Sequence, residues 1–166
     1  MNLEQLQLKM SAYFAAEKWE SLLFMICGLA AVVIAAVLWR SESSYRGMLY
    51  PLVIIGLIQV VVGSTVFFRT DAQAGALASQ LRVSPADYEK AELARMEMIN
   101  RNFAWYKTIE IVLLAAGIGM TYLFRQNDFL YSLAVGLVLE SALMLVADLF
   151  AEHRAEDYVR AIQTLL

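Results

Sequence analysis

Four long apolar runs dominate the pattern of hydrophobic and polar positions. They cover residues 21–39, 48–68, 106–124 and 129–150, each of 19–22 residues. At 1.5 Å per residue, a helix of that length crosses the ~30 Å hydrocarbon core of a bilayer. Lipid supplies no water to bare peptide groups, so each run is expected to be a helix. Pro51 falls in the first turn of the second run, where a missing N–H costs nothing. The expected class is all-α, an integral membrane four-helix bundle.

Outside the runs the helical pattern continues. Leu3, Leu6, Met10 and Tyr13 recur at helical spacing and lead into the first run. Ser84-Pro85 reads as an N-cap followed by proline at the first helical position. Beyond it Tyr88, Met96, Ile99, Phe103 and Tyr106 form a stripe with no breaker before Phe124, which predicts one helix of about 40 residues. The Ala-rich residues 71–82 either prolong the second run or form a short helix of their own. Tyr158, Ile162 and Leu165 carry a stripe past the fourth run. With four spans these extensions share one side. Residues 1–20, 69–105 and 151–166 should therefore build a helical collar outside the bilayer, with 40–47 and 125–128 as short loops opposite. Met96, Ile99, Phe103, Tyr158 and Ile162 then have two uses, as collar packing or as a docking face for a protein partner or a second copy.

Composition agrees with a membrane protein. The chain is 60% hydrophobic and 17% charged, with a net charge of −3; a soluble domain carries about 25% charged residues. The acidic balance argues against nucleic acid as a partner. One cysteine, Cys27, excludes an internal disulfide. Residues 1–20 lack the short basic start of a signal peptide, so the first run is read as a retained span. Ten of the thirteen Lys and Arg residues fall on the side that carries the termini. By the positive-inside rule both termini are expected in the cytoplasm, in a bacterial inner (plasma) membrane.

Polar residues inside the runs need a reason, since a mid-bilayer carboxylate costs roughly 2.5–3.5 kcal/mol on insertion scales. Glu140 lies halfway along the fourth run and Gln59 halfway along the second. A hydrogen bond between them, with Glu140 protonated, would satisfy both; a proton or cation pathway is the alternative. At the same depth, Ala31/Ala35 and Ala115/Gly119 have the small-xxx-small spacing that lets helices approach closely. A second group, Glu20, Glu110, Asp148, Glu152, His153 and Arg154, gathers with Lys18, Lys107 and Arg69 near the cytoplasmic boundary. It reads as a girdle of ion pairs, with a metal site or a switch at His153 as alternatives. The halves of the chain also share a faint repeat. Gly56-Leu57-Ile58-Gln59 matches Gly136-Leu137-Val138-Leu139-Glu140, through duplication or through two hairpins meeting one bilayer constraint.

No Gly-x-Ser-x-Gly, P-loop, Gly-x-Gly-x-x-Gly, His-Glu-x-x-His or Cys-x-x-Cys motif occurs. No catalytic residue, metal or cofactor is therefore assigned. The leading expectation is a non-catalytic membrane protein that binds a protein partner in an accessory, regulatory or toxin-neutralising role, and that pairs as a homodimer. The alternative is a small oligomeric ion or proton conduit using Glu140, gated near Glu110, Asp148 and Glu152. A membrane-embedded metal site or enzyme comes third.

Overall fold

The computed structural model describes residues 2–41 and 44–164. Four long helices make up almost all of it. They are α1, Leu3–Arg40; α2, Leu49–Val83; α3, Pro85–Leu123; and α4, Asp128–Gln163. Each is long and apolar enough to cross a membrane. At 35–39 residues they reach about 55 Å, well beyond the span alone. The surplus lies at the end that carries both termini.

Local chemistry sets the helix ends. The Asn2 side chain accepts from the Gln5 amide at 2.8 Å while the Gln5 side chain accepts from the Asn2 amide at 3.2 Å, a capping box that starts α1. A 3₁₀ turn, Arg46–Met48, feeds α2. Residues 71–82 prolong α2 without a break, and α2 reverses into α3 at Ser84 alone. The Ser84 amide donates to the Gln80 carbonyl at 2.9 Å, and the Ser84 carbonyl accepts from the Tyr88 amide at 3.0 Å. Its hydroxyl bonds to the Asp87 carboxylate at 2.6 Å rather than to a backbone amide, while Pro85 begins the helix. Asn127 caps α4 by accepting from the Leu130 amide at 3.0 Å.

The hairpins α1–α2 and α3–α4 pack side by side. Helix α4 also meets α1 and α2, and α2 meets α3, while among the described residues the backbones of α1 and α3 stay apart and only their side chains meet, in the collar. The section is a rhombus with α2–α4 as its short diagonal. At the terminal end all four helices share a core. Leu6, Met10, Tyr13 and Phe14 from α1 meet Leu81 from α2, Tyr88 and Met96 from α3, and Ala155, Tyr158 and Ile162 from α4. Met96 and Ile162 are fully buried, Tyr158 is 2% exposed, and Ile99 and Phe103 pack partly buried against them. This corrects the docking-face reading of these five residues, because the collar's own core consumes the stripe. Leu165, and residues 42–43 of the loop, lie outside the described residues.

The apolar halves pack differently, through small residues. A Cβ on Gly28 would lie 2.4 Å from the Gly56 carbonyl oxygen, so α1 and α2 cross with backbones in contact. Ala31 and Ala35 line the same seam, 5% and 1% exposed. On α3 the buried small residue is Gly117, whose added Cβ would meet the Val138 side chain at 2.8 Å. The expectation for Ala115/Gly119 needs correction, since both are exposed and a Cβ on Gly119 meets nothing within 4 Å. Register explains the two-residue error. The Glu110 side of α3 faces α4, and Gly117 lies two turns along that side, whereas residue 119 is rotated about 160° from it.

Gly28→Leu should drive α1 and α2 apart and lower the melting temperature of the purified protein by about ten degrees or more, or prevent its accumulation. Gly75→Ala, in open space on α2, should instead leave stability unchanged or raise it by about 0.5–1 kcal/mol.

Candidate functional site

Polar side chains meet at three levels along the bundle. Midway through the apolar halves, Gln59 Nε2 donates to Glu140 Oε2 at 2.9 Å. Gln59 is fully buried and Glu140 is 6% exposed. The pair joins α2 to α4 along the short diagonal. Gln59 Oε1 and the neighbouring Ser141 hydroxyl are buried without a protein partner, so the level has unused hydrogen-bonding capacity.

Eight residues further along α4, about 12 Å, lies the second level. The Glu110 side chain is 2% exposed, and neither of its oxygens has a hydrogen-bond donor. Its electrostatic neighbour is the Asp148 carboxyl of α4, which also feels Glu152, Glu20 and Lys107. One turn nearer the termini, Lys107 forms an ion pair with Glu152, tying α3 to α4, and Arg154 forms one with Glu20, tying α4 to α1. The Arg154 guanidinium also lies 5.4 Å from the Tyr13 ring centroid. The structure thus brings Glu20, Glu110, Asp148, Glu152 and Arg154 to one end of the apolar region. His153 is not among them. Its side chain is 73% exposed, 3.7 Å from Asp157 Oδ2. Successive helical residues point about 100° apart, so a chain that aims Glu152 and Arg154 inward turns the residue between them to the outside. Lys18 and Arg69 stand apart as well, paired with Asp71 and Glu17 between α1 and α2.

The third level is the collar network, which sequence reasoning missed. Glu92, 1% exposed, accepts two hydrogen bonds from Arg95, each of 2.7 Å. Arg95 lies 5.6 Å from the Phe14 ring centroid. The Tyr88 and Tyr158 hydroxyls are 2.6 Å apart, and Tyr158 stacks on Tyr13 with centroids at 4.5 Å. Tyr88, Glu92 and Arg95 at i, i+4 and i+7 share one side of a helix, a pattern already legible in the chain. Burial pushes the Tyr13 and Tyr88 hydroxyls up to about 12, with the Glu17 charge adding to the effect at Tyr13. Burial first, and then the Glu92 charge, raises Tyr158 as well.

An open groove of about 650 Å³ runs between α1 and α2 at the boundary of the apolar region. Lys18, the cation on its wall, is held by Asp71 and lies 4.9 Å from the Phe67 ring centroid. Among the described residues no group of three or more His, Cys, Asp or Glu side chains is placed to hold a metal ion. No family model, curated protein or solved structure matches the chain.

A buried tyrosine with a raised pKa stabilises the fold fully below the unfolded value of about 10, and that stability is lost as pH climbs toward about 12. The collar should therefore loosen across this window, by on the order of 2–3 kcal/mol per tyrosine. Amide hydrogen exchange at Tyr13 and Tyr88 should accelerate there beyond its intrinsic pH dependence. Tyr88→Phe should weaken the effect.

Proposed function

We propose that this chain is a non-catalytic integral membrane protein that works by binding another membrane protein. Four bilayer-length apolar helices and the Lys/Arg distribution support a bacterial inner membrane with both termini cytoplasmic. The collar is then a cytoplasmic extension of the bundle.

One observation carries the binding reading. Helix α3 buries only Glu110 and Gly117 along its apolar half. Its far side, with Ala115, Ala116 and Gly119, faces outward. Apolar helices associate in lipid where small residues let backbones touch, and glycine weakens a helix by about 1 kcal/mol relative to alanine without such a contact. An unused small-residue surface on the least supported helix suits a transmembrane helix of a partner, in an accessory, regulatory or toxin-neutralising role. A second copy of this chain would use the same surface.

A photo-cross-linker at position 119, read out in native membranes, tests this. A discrete adduct is expected from position 119 and none from position 61, a lipid-exposed site on α2. Ala115→Leu should cut the yield at least tenfold, equivalent to about 1.4 kcal/mol. An adduct of twice the chain mass identifies the homodimer. No adduct from position 119 removes the reading.

The mid-span pair favours a second reading, a small ion or proton conduit. Glu140 is an ionisable group at mid-depth beside two unused hydrogen-bonding atoms, the usual chemistry of intramembrane proton relays. In proteoliposomes under a pH gradient and a membrane potential, Glu140→Gln should then abolish flux, while the amide it introduces still bonds Gln59 and the fold survives. Equal flux in both proteins excludes Glu140 from transport.

A further inference from the structure

The second polar level, which the conduit expectation treats as a gate, has a chemistry of its own. Glu110 is buried, both of its oxygens lack a donor, and it faces another carboxyl, that of Asp148. Two ionised carboxylates offer each other only acceptors, so they bond only when one of them carries a proton.

The surroundings do not neutralise the pair. From α4 the facing charges are Asp148 and Glu152, from α1 Glu20, and from α3 itself Lys107. Lys107 is held by Glu152, and Arg154 by Glu20. The charges of α2 at this end are already paired, Arg69 with Glu17 and Asp71 with Lys18. Glu110 and Asp148 are thus the two carboxyls in the group without a cation of their own.

The mechanical context gives that proton a consequence. In its apolar half α3 rests on α4 at two buried residues, Gly117 and Glu110. Gly117 contributes close packing against Val138, and Glu110 contributes whatever bond or repulsion it makes with Asp148. Two negative charges at this depth repel across a low dielectric.

We infer that Glu110 and Asp148 form a proton-binding site, one proton shared between the two carboxyls, whose occupancy fastens the apolar half of α3 to α4. The bond forms when a proton arrives from the collar side and becomes a repulsion when it leaves. Docking of α3 therefore strengthens as pH falls. This site stands whether or not α3 also binds a partner.

The test uses the full chain in lipid nanodiscs, with infrared difference spectra and spin labels at positions 112 on α3 and 146 on α4, both outward-facing. The wild type should show the C=O stretch of a protonated carboxyl that Glu110→Gln and Asp148→Asn each lack. The band should titrate away as pH rises, and the interlabel distance should lengthen over the same range. In Glu110→Gln the amide donates to Asp148 without a proton, so the distance should stay short at every pH. Asp148→Asn provides the same check should Glu110→Gln not accumulate. The inference is overturned by identical spectra in wild type and variants, or by a wild-type distance indifferent to pH. Loss of the band on adding sodium, potassium or magnesium salt at fixed pH would equally overturn it, by making this a metal-cation site.

Discussion

Apolar helices in lipid gain nothing from burying leucine against leucine, because the acyl chains are as apolar as the side chains. This constraint shapes the four-helix arrangement. Where the helices are apolar all round, small residues and one polar pair make the close contacts, with Leu49 and Leu52 buried beside Ala31 and Ala35. Backbones touch at Gly28 and Gly56, Gly117 packs against Val138, and Gln59 bonds Glu140. Large side chains along these halves, such as Leu29, Val61, Ile111 and Val146, face outward. In a soluble protein that exposure would be strongly destabilising.

The terminal end obeys the opposite rule. There Leu6, Met10, Phe14, Leu81, Met96 and Ile162 gather inward from all four helices, as aqueous burial favours. The same helices thus pass from one solvent regime to the other without a break, and the chain changes its packing rule along their length. The charged pairs Lys107–Glu152 and Glu20–Arg154 lie at the change. Glu92, Arg95 and the tyrosines occupy the collar interior, where Arg95 bonds Glu92 and the Tyr88 and Tyr158 hydroxyls bond each other. A buried carboxylate with a bidentate arginine avoids the penalty of an unpaired buried charge.

Support is uneven across the bundle. Helices α1 and α2 share a long small-residue seam, and α4 touches every other helix. Helix α3 is anchored well in the collar through Tyr88, Glu92 and Met96 but lightly in the apolar half. A helix held firmly at one end and at two points further along is the element most open to rearrangement. The surface proposed for a partner and the proposed proton site both lie on this helix.

The length of α2 was left open by residues 71–82, but the number of helices, the long third helix and the start signal at Ser84-Pro85 were legible in the sequence. They depend on local quantities: run length against bilayer thickness, 3.6-residue periodicity, and proline after a capping serine. The Gln59–Glu140 bond was also within reach, because two polar residues at equal depth in lipid have few other partners. Rotation about each helix axis was not. A two-residue error in register placed Ala115 and Gly119 at a seam that Gly117 occupies, and a 100° step put His153 outside the cluster. The collar stripe carried the right residues, but only the assembled bundle showed that Met96, Tyr158 and Ile162 face one another instead of a partner. Periodicity establishes that a helix has a buried side, while the neighbouring helices decide which residues complete it.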